Sequence, residues 1–589
     1  MPLASLVLSS NSIFKTSSVP SLPTELWFHI IGFIPLEDLY KLAGVNRAFF
    51  EEVMNEVYSQ LSFISADPRI FYEKLATLQN PTLSERIRVL TVWPSAVRDA
   101  INAIEHDKSR PPGQPDVPER SRTPQPRFKH VRYLSRGREY VEELLGHHKP
   151  PQPAPTAPNG KEPLPSPEER TKLFKESLRR LSRVEEFELN WYIDQGKDHH
   201  AWSFSLFPDI WQGIGQHLRR LAIDIQVAKM GDAVTSCLSL PRLEVLDLTL
   251  RCYPSRSDLY SEQYQGDTIV PYFINKFAPT LQELSMKTIG HQELSQHFQL
   301  LGVFPRLTKL TIVMPLDSYH LRDPSGYRRM LKNHPQIRDL SIKYTRCCRD
   351  CTEDGFDTFE GKHKLYGDVH LPALRSLELG LHIPIPKGIM NNSLYHNVVR
   401  QLGTTNNTLY YCLAQMGSEL TSLTLTDRNL TLEEVKTLLG LFPSYRLKRL
   451  SFFAKVLSPR LIDAIAQACP SLSSLSLDVE TVSSQDPCTE TYMNPDVEGF
   501  AKALYSYGVD RQYDRWRYRA WTLADVSVMR WELKVGHQYN WRCMQAIAAV
   551  VPSVRSFAGR GHMEPDSDLK TGGGQRLVEL DARTKPLDT

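Results

Sequence analysis

Cys347, Cys348 and Cys351 form a C-C-x-x-C cluster with His363 and His370 downstream, a set that could in principle supply four zinc ligands. A single C-x-x-C without a second spaced pair is a weak metal signal, and reduced thiols in an insertion loop are expected instead. The pairs His147-His148 and His199-His200 sit in polar or proline-bounded stretches, with no carboxylate or cysteine constellation beside them. The sequence contains no Gly-rich phosphate loop, G-x-S-x-G elbow or H-E-x-x-H helix. The expectation is a non-catalytic chain with no metal and no cofactor.

Recognition chemistry is better represented. The stretch Tyr505 to Trp541 crowds aromatic and guanidinium groups, and Tyr513, Arg515, Trp516, Tyr518 and Trp521 are its candidate target-binding residues. Such side chains bury large areas and still offer a polar end, as interface hot spots do. The competing reading is that alternate aromatics complete a core and leave the arginines in solvent.

Composition limits what could position these groups. At 589 residues the chain is too long for one compact core unless it is an elongated repeat array. A formal charge of +3 leaves no basic stripe that would make nucleic acid the principal ligand. The nine cysteines are an odd, mostly widely spaced set, which suits reduced thiols in the cytoplasm and/or nucleus better than a disulfide framework. No segment approaches the roughly 18 to 20 consecutive apolar residues of a membrane span. The first twenty residues lack the cationic and apolar regions of a secretory signal.

From about residue 218 one pattern recurs: an amphipathic run, a proline, then L-x-x-L-x-L. Pro241 precedes Leu243, Leu246 and Leu248; Pro279 precedes Leu281, Leu284 and Met286; Pro305 precedes Leu307, Leu310 and Ile312. Pro335, Pro372 and Pro470 open further copies. Leu218, Leu420 and Leu447 start copies without that proline offset, and Pro552 with Val554 and Phe557 starts a weaker last one. Proline disfavours helix in the residue before it, so each helix ends and the chain extends. In the L-x-L half, alternate residues point to one face of a short strand.

Starts at 218 and 243, 281 and 307, 420 and 447, and 447 and 472 are 25, 26, 27 and 25 residues apart. That period lies within the roughly 20 to 29 residues of a leucine-rich repeat, which this region resembles. The resemblance implies an irregular solenoid of short parallel strands and helices. The Asn that normally follows the last Leu is missing from nearly every copy, and gaps of 38 and 46 residues contain insertions. The large insertions, RCYPSRSDLYSEQYQGDT after Leu250, Tyr344 to His370, Leu381 to Thr408 and the stretch after Leu477, each follow a strand, which places them on one edge as a possible binding face. Ile87, Leu90 and Val92, Val131 and Tyr133, and Val184, Phe187 and Leu189 read as earlier strands of the same kind. The proline-rich tracts at 110–126 and 149–167 read as extended, solvated insertions rather than as proline-recognition ligands or phosphorylation sites near Ser121 or Ser166.

Ser21 to Met54 carries three short apolar stripes: Leu26, Ile30 and Phe33; Leu36, Leu39 and Leu42; and Phe49, Phe50, Val53 and Val57. Pro23 suits a first helical position, with Glu25 facing the free amides of that turn, and Pro35 stops the first run. Three helices this small bury little core alone, so several apolar groups are expected to seek a partner surface. The string Leu22, Pro23, Glu25 and Leu26, then Ile30, Ile31, Ile34 and Pro35, Asp38 and Leu39, and Val45, Arg47 and Phe49 resembles an F-box.

The resemblance implies a substrate-recognition subunit of a Skp–cullin–F-box ubiquitin ligase. Leu22, Pro23, Leu26, Ile30, Leu36, Leu39 and Val45 would dock on the Skp-type adaptor, and through it a cullin, while the repeats hold an unknown target protein. A scaffold that recruits no cullin fits the same residues. The α/β architecture expected is a disordered N-terminus (1–20), a three-helix F-box (21–62), irregular early repeats with the two proline-rich insertions (63–217), the solenoid (218–563) and a flexible tail (564–589).

Overall fold

The computed structural model describes residues 22–102, 166–191, 206–237, 239–252, 261–290, 293–316, 320–345, 365–382, 413, 416, 419–443, 445–485, 496–510, 515–532 and 536–559. Two compact units divide the chain, residues 1–185 with 212–214, and residues 186–211 with 215–589. Both ends of the chain, Val131, Tyr133 and the tract at 110–126 lie outside the described residues.

The first unit opens with α1 (Thr24–Ile31), α2 (Leu36–Lys41) and α3 (Arg47–Tyr58). It continues through β1 (Gln60–Phe63), α4 (Pro68–Gln79), α5 (Pro81–Ser84), β2 (Val89–Val92), α6 (Pro94–Asn102) and α7 (Pro167–Arg179). β1 and β2 pair in parallel. Phe63, Phe71 and Phe174 meet with ring centroids 5.0 to 5.7 Å apart at the centre of the helices around them. Buried Arg170 donates to the Ile101 carbonyl at 2.7 Å, so its charge meets the free acceptors at the end of α6. The second proline-rich tract ends differently from the solvated insertion expected of it. Ser166 and Glu169 form a reciprocal capping box and Pro167 takes the first turn of α7, because a helix start tolerates the missing N–H.

The second unit alternates strands and helices: β3 (Glu186–Trp191), α8 (Phe207–Ile214, whose last three residues group with the first unit), β4 (Arg220–Gln226), α9 (Val227–Val234), β5 (Val245–Cys252), α10 (Ser261–Asn275), β6 (Glu283–Gly290), α11 (Ser295–Leu300), β7 (Lys309–Met314), α12 (Ser325–Lys332), β8 (Asp339–Thr345), β9 (Ser376–His382) and β10 (Ser422–Leu430). After α13 (Leu432–Leu439) come β11 (Arg449–Leu457), α14 (Pro459–Ala468), β12 (Ser474–Val482), α15 (Val497–Gly508), β13 (Val509–Asp510), β14 (Arg515–Trp516), β15 (Asp525–Glu532), β16 (Gly536–Tyr539), α16 (Trp541–Val550) and β17 (Ser556–Phe557). The architecture is mixed α/β, with an open, largely parallel sheet. β3 to β12 follow one another in chain order and β15 comes next, flanked by parallel β17 and antiparallel β16. β13 and β14 form a separate antiparallel pair.

Leucine spacing and register agree strand by strand. Leu221, Leu246, Leu284, Leu310, Leu340, Leu377, Leu423, Leu450, Leu475 and Val526 sit opposite one another across successive strands, all buried. The first leucine of each copy, such as Leu243, Leu281 or Leu472, is buried in the turn that leads into the strand. The turns are tied by backbone rather than by asparagine. Arg219 O accepts the N–H groups of both Glu244 and Val245, and Glu244 O those of Gln282 and Glu283. The same two-amide contact recurs at Gln282, Thr308, Arg338, Arg375, Thr421, Lys448, Ser473 and Ala524, with N···O distances of 2.8 to 3.1 Å. This ladder satisfies the donors that open each strand.

The insertion expected after Leu250 is partly regular. Arg251 and Cys252 extend β5, and from Ser261 onward the segment is α10. The β10–β11 register shifts between Leu425 and Asn429, where Gly380 on β9 leaves no space for a Cβ against Thr426.

Candidate functional site

The helical trio carries apolar side chains on two faces. Its own core is built from Ile31, Leu39, Ala43, Phe49, Val53 and Val57, with Trp27 edge-on to Phe49 at 5.6 Å. Asn46 caps α3 by accepting from Phe49 N–H at 3.1 Å. Pro23 and Pro35 sit at the cap positions of α1 and α2, one residue before the helical turn expected for Pro23; the Pro23 carbonyl accepts from Leu26 and Trp27, and the Pro35 carbonyl from Asp38 and Leu39.

The stripe marked by periodicity faces outward. Leu26 is 47% exposed, Ile30 39% and Phe33 77%. Leu22, Leu36, Val45 and Pro23 are exposed as well. Leu39 does not belong with them: at 5% exposure it lies in the core of the trio, because that core draws one apolar position from α2. Phe28 and Phe33 are exposed apolar residues that the docking set omits. The signal for Phe28 was the run Leu26 to Ile31, in which His29 is the one polar side chain; Phe33 was already on the stripe with Leu26 and Ile30. His29 lies edge-on to Phe33 at 5.3 Å.

The aromatic and arginine stretch of the second unit divides differently. Tyr518 and Trp521 are buried, so they complete a core rather than offer a contact surface. Trp521 Nε1 donates to the Cys469 carbonyl at 3.0 Å, and Tyr518 OH lies 3.5 Å from Asp463 Oδ1. Burial, followed by the Asp463 carboxylate, holds the Tyr518 phenol well above its ordinary pKa. Arg517 pairs with Asp463 at 3.0 Å and lies over the Tyr507 ring at 5.4 Å. Arg515 and Trp516 are placed by backbone pairing with Asp510 and Val509, while Tyr513 lies outside the described residues. Tyr505, Tyr507, Arg517 and Arg519 are exposed.

The sheet face opposite the leucines carries a row of short hydroxyls. Ser285, Thr311, Ser341, Thr424, Ser451, Ser476 and Ser527 occupy one register position on successive strands, interrupted by Glu378 on β9. Ser341 Oγ donates to Glu378 at 2.7 Å, and Lys343 Nζ lies 2.7 Å from the other carboxylate oxygen. β5, β8, β9 and β12 are parallel, so the segments that follow them start from one margin of the sheet. Most of those segments, with Cys347, Cys348, Cys351 and His363, lie outside the described residues, and His370 is exposed. Among the described residues no cluster of three or more His, Cys, Asp or Glu could hold a metal, and no helix is long and apolar enough to cross a membrane.

No protein-family model matches this chain, and no curated protein matches it either.

Proposed function

We propose that this chain is the substrate-recognition subunit of a Skp–cullin–F-box ubiquitin ligase, with the α1–α3 trio docking on the Skp-type adaptor and the repeat sheet holding a target protein. One observation carries the reading: Leu22, Leu26, Ile30, Phe33, Leu36 and Val45 stand exposed on a trio whose own core is already filled. An exposed apolar set of this kind is what a permanent partner would cover. The order of Pro, Glu, Pro, Asp and Arg around it matches the F-box string. The largely half-buried hydroxyl row on the face opposite the leucines is the part of the array offered to a target. The chain itself would catalyse nothing. It would act by effective concentration, holding a target beside a charged conjugating enzyme.

The test is capture of a purified Skp-type adaptor by the full chain. Leu22→Asp with Pro23→Ala, and separately Leu26→Asp with Phe33→Asp, should abolish capture while the repeat unit keeps its thermal transition. Undiminished capture by both variants would falsify the docking assignment. Co-purification of the adaptor without a cullin would point to a cullin-independent scaffold.

A further inference from the structure

Two histidines are sealed in the helical layer of the second unit in positions that suit only the neutral ring. His297 on α11 is fully buried, and neither ring nitrogen has a hydrogen-bond partner among the described residues. His334, two residues beyond α12, is equally buried and stacks on Phe304 at 5.5 Å. Its Nδ1 donates to the Met330 carbonyl, so Nε2 is left with the lone pair that accepts from Phe304 N–H at 2.8 Å.

The charged groups on the surrounding elements are engaged elsewhere or turned to solvent. On α12, Arg329 donates to the Gln299 carbonyl, Lys332 lies 4.0 Å from Asp368, and Arg328 is half-buried with a partner of its own. At the helix entries Glu293 accepts from Ser295, and Asp323 from Ser325 and Gln299. Over Thr268–Asn275 α10 has no charged residue, and Lys276 beyond it donates to Cys237 O. Arg306, Arg338 and Asp339 are exposed; the neighbouring buried His320 gives its carbonyl to Leu294 N–H.

We propose that α11 and α12, with His334 just beyond, form an acid-operated release element, in which proton uptake from solvent by His297 and His334 frees these two helices from the sheet while the later strands stay folded. A proton on His334 Nε2 would set two N–H donors against each other across 2.8 Å. A proton on His297 would place an unpaired cation in a dry, apolar site. Either is relieved when the ring reaches water. Burial holds His297 down to about 4 and is also the larger influence on His334, where the Met330 bond opposes it. A base depressed in the folded state costs nothing above its unfolded value of 6.5. As pH falls below that value the opening equilibrium should grow about tenfold per unit for each ring, levelling off once the folded value is passed.

Hydrogen exchange on the full chain at pH 7.5 and 5.0, corrected for intrinsic rates, tests this directly. Protection of 295–300 and 325–334 should fall at least about tenfold at the lower pH while 445–482 is unchanged. His297→Leu removes one proton site and suits the apolar surroundings; His334→Gln keeps an acceptor for Phe304 N–H. Each should reduce the acid response, and if His297→Leu fails to fold the glutamine variant decides alone. Uniform loss of protection along the chain, no loss, or a response unchanged in the variants overturns the proposal.

Discussion

Asp224 on β4 and Arg251 on β5 close a two-point ion pair across neighbouring strands, with Nε–Oδ1 2.6 Å and Nη2–Oδ2 2.7 Å and each side chain one-fifth exposed. Asp224 faces Thr249 in the register, so Arg251 reaches diagonally by two residues. A double-mutant cycle with Asp224→Asn and Arg251→Met should give a coupling of about 1 kcal/mol, above that of an exposed pair because both groups are partly withdrawn from water. Additive denaturant midpoints would remove the pair from any stabilising role.

Gly326 on α12 and Gly231 on α9 should respond in opposite directions to the same substitution. A Cβ at Gly326 would come within 2.6 Å of Gln299 N and 2.8 Å of Phe298 C, both backbone atoms that cannot step aside. Gly326→Ala should therefore cost roughly 1 to 3 kcal/mol as α11 and α12 are forced apart. At Gly231 the neighbour is the end of the Ile269 side chain at 3.2 Å, which can turn. Gly231→Ala should stabilise by about 0.5 kcal/mol through helix propensity. Thermal melts of the two variants check the sign.

Under the proposed docking, Leu26 and Leu39 should separate adaptor capture from folding. Leu39→Asp buries a charge in the trio core and should cost that unit roughly 3 kcal/mol. Leu26→Asp, on the exposed face, should change stability by less than about 0.5 kcal/mol while removing adaptor capture. Limited proteolysis of residues 22–102 beside the capture experiment reads both effects; equal protease sensitivity of the two variants contradicts the placement of Leu39.

Three thiols are held neutral. Burial pushes Cys237 and Cys469 up to about 11 and Cys543 up to about 12, with Lys276 and Arg530 opposing it at Cys237 and Cys543. The native chain should leave all three unalkylated by iodoacetamide at pH 8, with modification following denaturation. Because the folded state keeps protons that the unfolded state releases from about pH 9, this stabilising contribution is complete below that pH and drains away as pH rises towards 11 to 12. Mass spectrometry of native and denatured samples reads the first effect, and urea midpoints between pH 8 and 11 the second.

The strand layer was legible because a two-residue period names its own inward side: Leu246, Leu284 and Leu310 could not face solvent without turning Asp247, Ser285 and Thr311 inward. The trio was harder. A helical period assigns one stripe per helix, and α1 has two, so the outward face could be read from Leu26, Ile30 and Phe33 while Leu39 was grouped with it although it closes the core. Tyr518 and Trp521 show a different limit. Aromatic and arginine clustering looks alike in an interface and an interior, and the partners that decide, Asp463 and the Cys469 carbonyl, are more than fifty residues away. The amide ladder had no signature, since it is made by main-chain atoms whatever the side chains.

That ladder gives the array a modular grammar. Each turn takes its reference from one carbonyl of its predecessor, whether the chain between them is 25 residues long, as from Arg219 to Glu244, or 46, as from Arg375 to Thr421. Length can be added or lost on the opposite margin without resetting any neighbour, so diversification and scaffold integrity are uncoupled. Under traction from the C-terminal end, such an array would part seam by seam, each step releasing one carbonyl and its two amides before the next bears the strain.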